Sequence, residues 1–410
     1  MSDLDTAQAA QLEFLANQYW NGNWKRDNPN LHAAVTAYIQ GGTRPTDTPN
    51  HYGQAMILLE DLVRALEPVT EPPPTGTLPY RPPPGWNGNE PEDYHSFPSY
   101  EVREVKRDGT VSMTNGKDYV LLVDADYSGG GRIWVTGGRH IVAIAGEVDY
   151  TNSSGDGFNS SFQFEGGDDG AIVHVEGFRI KNQPNGFTLK APKMFQFQNI
   201  HTDLRDSSGQ GHPDLIQVWS GAKAKGIRIH GWTGYSGFTY FSDFTDDKGP
   251  AQFGSETPGF WDLRNVDIHH VNGQGLGCWL GSPNHAVWRG GNCWWETSTE
   301  PTGNRRDLGD QARQNGLQYP PSSPAGYAQR YEIFDTDGKT SLYKSPPNPQ
   351  GGAPGDIGRL QGQYLRYLDN PRMTLEWRCQ KAPVSAGADA NGNFVPAASV
   401  GVGYKSPGYV

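Results

Sequence analysis

Charge and cysteine are both scarce in this chain of 410 residues. Only 19% of its residues are charged, and acids outnumber bases 45 to 34, a formal net charge of −11. That balance argues against nonspecific binding to DNA or to an anionic membrane surface. The three cysteines, Cys278, Cys293 and Cys379, are too few and too scattered for a disulfide framework or a zinc site, and they read as small buried apolar residues. No apolar run reaches transmembrane length and no signal-peptide core is recognised, so membrane insertion is not expected and synthesis and folding in a cytoplasm are. What abounds instead is Gly (53), Pro (31) and aromatic residues (12 Trp, 19 Tyr, 16 Phe). A disordered chain carries fewer aromatics, so the composition indicates a turn-rich β protein.

Between residues 138 and 297 one pattern returns: alternating apolar residues on either side of a Gly or Asn. It reads Ile141 to Val148 around Gly146, Ile172 to Ile180 around Gly177 and Met194 to Thr202 around Asn199. It returns as Ile227 to Tyr235 around Gly231, Leu263 to Ile268 around Asn265, and Val287 to Trp295 around Gly290 and Gly291. The pivots are 31, 22, 32, 34 and 25 residues apart. Alternation within each copy is the period-two signal of strands with one buried face. A second short strand precedes several copies across a small-residue corner: Phe187 to Leu189, Ile216 to Val218 and Cys278 to Leu280.

Short strands repeated with unequal turn lengths describe a parallel β-helix, whose coils stack at about 4.8 Å and bury a face that none could bury alone. Gly and Asn suit the corner because they tolerate left-handed backbone, and Asn can also hydrogen-bond an Asn one coil away. The rival is an antiparallel sandwich or jelly roll, which would call for hairpin turns between adjacent strands.

The predicted fold is therefore all-β: a right-handed parallel β-helix over 99–298, with a small α-helical module at 1–67 and an irregular C-terminal extension at 299–410. Residues 68–98, with Pro72-Pro73-Pro74 and Pro82-Pro83-Pro84, read as a semi-rigid polyproline-type tether. Strand-like fragments at Tyr331 to Phe334, Ser341 to Tyr343 and Met373 to Trp377 are read either as final coils or as a small separate β unit. The Gly-, Ala- and Pro-rich end, Gly387 to Val410, is expected to pack along another surface or a partner.

Gly137-Gly138-Arg139-His140-Ile141-Val142 enters the repeat. The chain closes on Phe394-Val395-Pro396-Ala397, Val400-Gly401-Val402-Gly403-Tyr404 and Ser406-Pro407-Gly408-Tyr409. With these motifs, residues 100 to 410 resemble the pectin-lyase-like minor tail proteins of bacteriophages that infect actinobacteria. The resemblance implies a virion component near the tail tip, commonly trimeric, that touches the host envelope. On that reading residues 1–67 would hold other tail proteins, and envelope glycan would be the host partner.

Fold does not settle chemistry, because β-helices include lyases, hydrolases and inert adhesins. Glycoside hydrolysis needs two carboxylates flanking the bond, and lyase chemistry a base beside an acidic sugar. The best cluster for either is Asp203, His212 and Asp214, with Lys190, Gln217 and Asp243 expected on the same outward face. The competing reading of such corner residues is that they cap backbone and bind water. His174 and His201 alternate with inward residues and are expected to face solvent, and His269-His270 lacks a third ligand at metal spacing. Gly166-Gly167-Asp168-Asp169-Gly170 could hold Ca²⁺, but a plain turn is the simpler reading, and no cofactor is expected. Exposed aromatic faces stack on sugar rings, and Trp219, Trp232, Tyr235 and Trp294 are expected to contribute to a glycan-binding stripe. The sequence thus points to a glycan-binding tail protein, with a tail-borne polysaccharide hydrolase or lyase and a purely structural tail spacer as alternatives.

Overall fold

The computed structural model describes residues 77–83, 100–126, 132–150, 162–183, 185–204, 214–218, 224–236, 241–243, 260–270, 287–296, 330–344, 362–368 and 374–409. The chain divides into two compact units, Met1–Thr75 and Gly76–Val410, and every described residue lies in the second. The helical module read at 1–67, most of the tether, His212, Trp219 and Cys278 lie outside the described residues.

From Tyr100 onward the backbone passes back and forth between two sheets. Strand β1 (Tyr100–Val105) belongs to the larger and β2 (Gly109–Met113) to the smaller. Then β3 (Asp118–Asp126) lies beside β1, and β4 (Ile133–Gly137) beside β2. The same alternation sends β5 (Ile141–Ile144) and β6 (Glu147–Asp149) to the larger sheet and β7 (Phe162–Glu165) to the smaller. Next come β8 (Ile172–Gln183) and β9 (Phe187–Lys190), β10 (Met194–Leu204) and β11 (Ile216–Val218), then β12 (Gly226–Ser236) and β13 (Phe241–Asp243), each pair divided in the same way. Strands β14 (Phe260–His270) and β15 (Val287–Glu296) continue the larger sheet. Every pairing from β1 to β15 is parallel, which rules out the antiparallel sandwich over this stretch.

In the larger sheet the long strands turn sharply at one column of residues with positive φ: Ala145, Gly177, Asn199, Gly231, Asn265 and Asn292, between 51° and 74°. The repeat pivots foreseen at Gly177, Asn199, Gly231 and Asn265 are these residues. Two pivots differ from the expectation. In the first copy Ala145 takes the strained conformation, and Gly146 instead makes room for the Phe178 ring; in the last copy Asn292 does so, with Gly290 and Gly291 accommodating Leu375 and Arg264. As foreseen, Asn pairs with Asn across strands: Asn292 Nδ2 donates to Asn265 Oδ1 at 2.8 Å.

Between the sheets lies an aromatic core. The Phe187 ring packs near Phe162, Phe178, Phe197 and Trp232, at centroid distances of 4.9 to 5.8 Å. Trp232, expected to bind sugar, is wholly buried there, and its indole N–H donates to Thr202 Oγ1 at 3.0 Å. The reason is the pivot. Ile227 and Ile229 point inward, the φ of 74° at Gly231 resets the alternation, and the next inward residue is Trp232.

Past β15 the order changes. Strands β16 (Arg330–Phe334), β17 (Ser341–Lys344), β18 (Tyr364–Leu368) and β19 (Glu376–Arg378) pair antiparallel among themselves. They extend the larger sheet through β19, which meets β15 in parallel at Trp294 and Arg378.

The remaining residues, 380–409, run back over the outer face of the larger sheet. Val395 O lies 2.8 Å from His201 Nδ1, Gly401 N donates to Gly177 O, and the hydroxyls of Tyr404 and Tyr409 both reach Glu176. His174 and His201 are consequently buried, at 0% and 5% exposure, although the alternation had put them in solvent. Residues 77–80 lie on the same face. Leu78 N donates to Gly408 O, and Tyr80 exchanges two hydrogen bonds with the Gln198 side chain. This part of the proline-rich stretch is thus docked.

Candidate functional site

Strand register lines up one outward residue per strand beyond the pivot column. Asp149 pairs with Lys181, Lys181 with Asp203, Asp203 with Tyr235, Tyr235 with His269 and His269 with Glu296. At about 4.8 Å per strand this is a polar ladder across six strands. A second row beside it holds Glu147, Arg179, His201, Thr233, Asp267 and Trp294.

Two of the sequence-predicted residues, Asp203 and Tyr235, are neighbours in the first row, and Trp294 is in the second. All three are half-buried, and Trp294 Nε1 donates to Asn292 Oδ1 at 2.6 Å. The others are elsewhere. Lys190 and Gln217 are half-buried on the smaller sheet, and Gln217 pairs with Thr188 and with Ser242. The backbone of Asp243 pairs with Val218 in that sheet. Asp214 precedes β11 and is 1% exposed. Its backbone N–H lies 3.4 Å from Asn185 Oδ1, and its carbonyl accepts from Gly186 N. Asp203 therefore sits on β10 of the larger sheet, whereas Asp214 lies just ahead of β11 of the smaller sheet with its side chain buried.

The centre of the ladder was missed from sequence. His269 is flanked by Asp267 Oδ2 at 2.9 Å and Glu296 Oε2 at 2.6 Å, and its ring stacks on Tyr235 at 4.5 Å and 15°. Burial by itself pulls the imidazole pKa down, but the hydrogen bonds to Asp267 and Glu296 overcome it and push the value up to about 9. At neutral pH His269 is a cation whose two N–H groups both face carboxylates. It is neither a general base nor a metal ligand in that state. Burial raises the pKa of Asp267, opposed by its bonds to His269, to Phe394 N and to Thr233 Oγ1. Tyr235 donates to Asn393 Oδ1, and burial with nearby carboxylates pushes its phenol up to about 12. The ladder's middle therefore anchors residues 393–395, while Lys181, Asp203, Glu296 and Trp294 keep partial exposure. The one available sequence signal was parity: counted from the pivot Asn265, both Asp267 and His269 face outward.

The Gly137 to His140 motif has a structural role. Asp118 accepts two bonds from the Arg139 guanidinium and one from His140 N. Lys193 is buried with its ammonium on the carbonyls of Gly138 and Arg139, both at 2.7 Å, and burial pulls its pKa down to about 8. Asp168, in the turn considered for Ca²⁺, accepts from Gly116 N at 2.6 Å.

Among the described residues, fold and ladder together define an all-β unit, parallel from β1 to β15, with a polar, partly aromatic outer face. No protein-family model, no curated protein and no solved structure matches the chain.

Proposed function

We propose that residues 100–296 form a right-handed parallel β-helix and that the protein is a non-catalytic, host-surface-binding component of a phage tail. The alternation of the chain between two parallel sheets, with one corner residue per turn, supports the β-helix. The observation that carries the binding reading is the partly exposed portion of the ladder, Asp149, Lys181, Asp203 and Glu296, which offers a polymer polar contacts on both sides of the stretch covered by residues 393–395. Trp294 supplies an aromatic face at its end, and Lys190 and Gln217 offer polar contacts on the smaller sheet. The tail assignment rests on the resemblance carried by the Gly137 to Val142 and C-terminal motifs. A trimer held to other tail proteins through residues 1–67 would multiply weak single-site affinity.

The reading favours binding over cleavage because the histidine nearest the carboxylates is held as a cation between them. The test is to incubate the protein with host envelope polysaccharide, following retention on the polymer and release of soluble fragments. Retention without fragments, weakened in Trp294→Ala and Asp203→Asn, is the expected result. Fragments that vanish in Asp203→Asn would establish an enzyme instead, and neither retention nor fragments would leave a tail spacer.

A further inference from the structure

Ahead of the pivots, the outer face of the larger sheet carries a different chemistry. Register places Arg228 beside Asp262 and Asp262 beside Arg289, with Arg264 two residues on from Asp262. Arg264 Nε donates to Asp262 Oδ1 at 2.8 Å and Arg289 to Asp262 Oδ2 at 2.7 Å. Two guanidinium groups thus share one carboxylate, and a third, that of Arg228, stands in register beside it, in a protein whose net charge is −11. His230 beside them adds no charge at neutral pH, since burial pulls its pKa down to about 4.

Two of the arginines have donors to spare. Arg228 lies 5.6 Å from the Tyr80 ring centroid and 5.5 Å from that of Phe260; it is half-buried and has no hydrogen-bond acceptor among the described residues. Arg289 is only 5% exposed, and its buried Nε–H has no partner. A solvated surface arginine would have water on every donor, whereas a buried guanidinium N–H without an acceptor is costly. An oxyanion would relieve both the unmet donor and the excess positive charge. A planar guanidinium already fixed against aromatic rings loses little freedom in binding one.

We propose that Arg228, Arg289 and Arg264, with Tyr80 and Phe260 as walls, form a binding site for an oxyanion group: a carboxylate or a phosphate. This rests on the glycan-binding reading for its biological source, a uronate or a phosphorylated unit of an envelope polymer, but not for its chemistry. Tyr80 reaches the site because residues 77–80 are docked beside Gly408 and Tyr409.

The experiment titrates the full chain with inorganic phosphate and, separately, with glucuronate, by calorimetry at low ionic strength. Saturable binding of at least one anion is expected, weakened about tenfold in Arg228→Gln with an unchanged melting temperature. The stronger of the two anions identifies the source. No saturable binding of either anion to the wild type, or equal affinity in the variant, would overturn the proposal. Should Arg228→Gln fail to fold, Arg228→Lys decides alone: it keeps the charge but loses the planar fork, and unchanged affinity in it sinks the site. Anion binding that needs Arg228 in a protein not retained by polymer would keep the site and remove the glycan reading. Polymer retention indifferent to Arg228 and to competing phosphate would do the reverse.

Discussion

The ring of Tyr404 occupies the space where a Cβ on Gly177 would stand, and its hydroxyl bonds to the side chains of both Asn199 and Glu176. Gly177 has φ 61°, so glycine is required twice over, by backbone conformation and by the ring. Gly177→Ala should therefore lower stability by about 2 kcal/mol or more in chemical unfolding. Tyr404→Phe, which only removes the hydroxyl, should cost about 1–2 kcal/mol. The pair Gly177→Ala with Tyr404→Ala should fall short of the sum of the single losses, because they share the contact. Full additivity would show that the C-terminal segment does not rest on Gly177 in solution.

Aromatic residues should separate sharply by position. Trp232→Ala empties a core site and should cost about 3–5 kcal/mol, whereas the half-buried Trp294 should cost far less on truncation. Thermal melts of the two variants side by side decide this, and equal losses would mean that Trp294 is core.

The imidazole of His269 should make stability depend on alkaline pH. Its folded pKa of about 9 lies above the roughly 6.5 of an unfolded histidine. Its pairing therefore stabilises fully below about pH 6.5 and fades as pH rises through 9, with an upper bound of roughly 3 kcal/mol. Comparing wild type with His269→Gln in urea at pH 6, 8 and 10 should show a gap that narrows with pH. A gap constant over that range would place the proton elsewhere.

At the corners, side-chain identity should matter less than backbone freedom. Asn265 has φ 53°, so Asn265→Gly should change stability by about 1 kcal/mol or less, while β-branched Asn265→Val should cost above about 2 kcal/mol. Denaturant midpoints for the two variants measure this, and the opposite ranking would contradict the left-handed corner.

The corner column was legible because Gly and Asn are the residues that take positive φ cheaply, and four of its six members stood out by spacing alone. Ala145 did not, since nothing in its side chain announces a left-handed backbone. Trp232 was expected among the exposed aromatics, but it follows directly on Gly231, where the turn resets the alternation and turns it inward with Ile227 and Ile229. His174 and His201 were placed on the correct side of the sheet, but the sequence pattern does not say what lies over that side. Residues more than 190 positions later do. The His269 network escaped for a related reason: Glu296 joins His269 only through strand register.

The parallel bridge between Leu78 and Tyr409 ties the first described residues to the last. Everything between them is thereby closed into a noncovalent ring. Tension applied ahead of Leu78 meets the hydrogen bond to Gly408 before it can load β1, so the tail end of the chain serves as a mechanical fuse for its beginning.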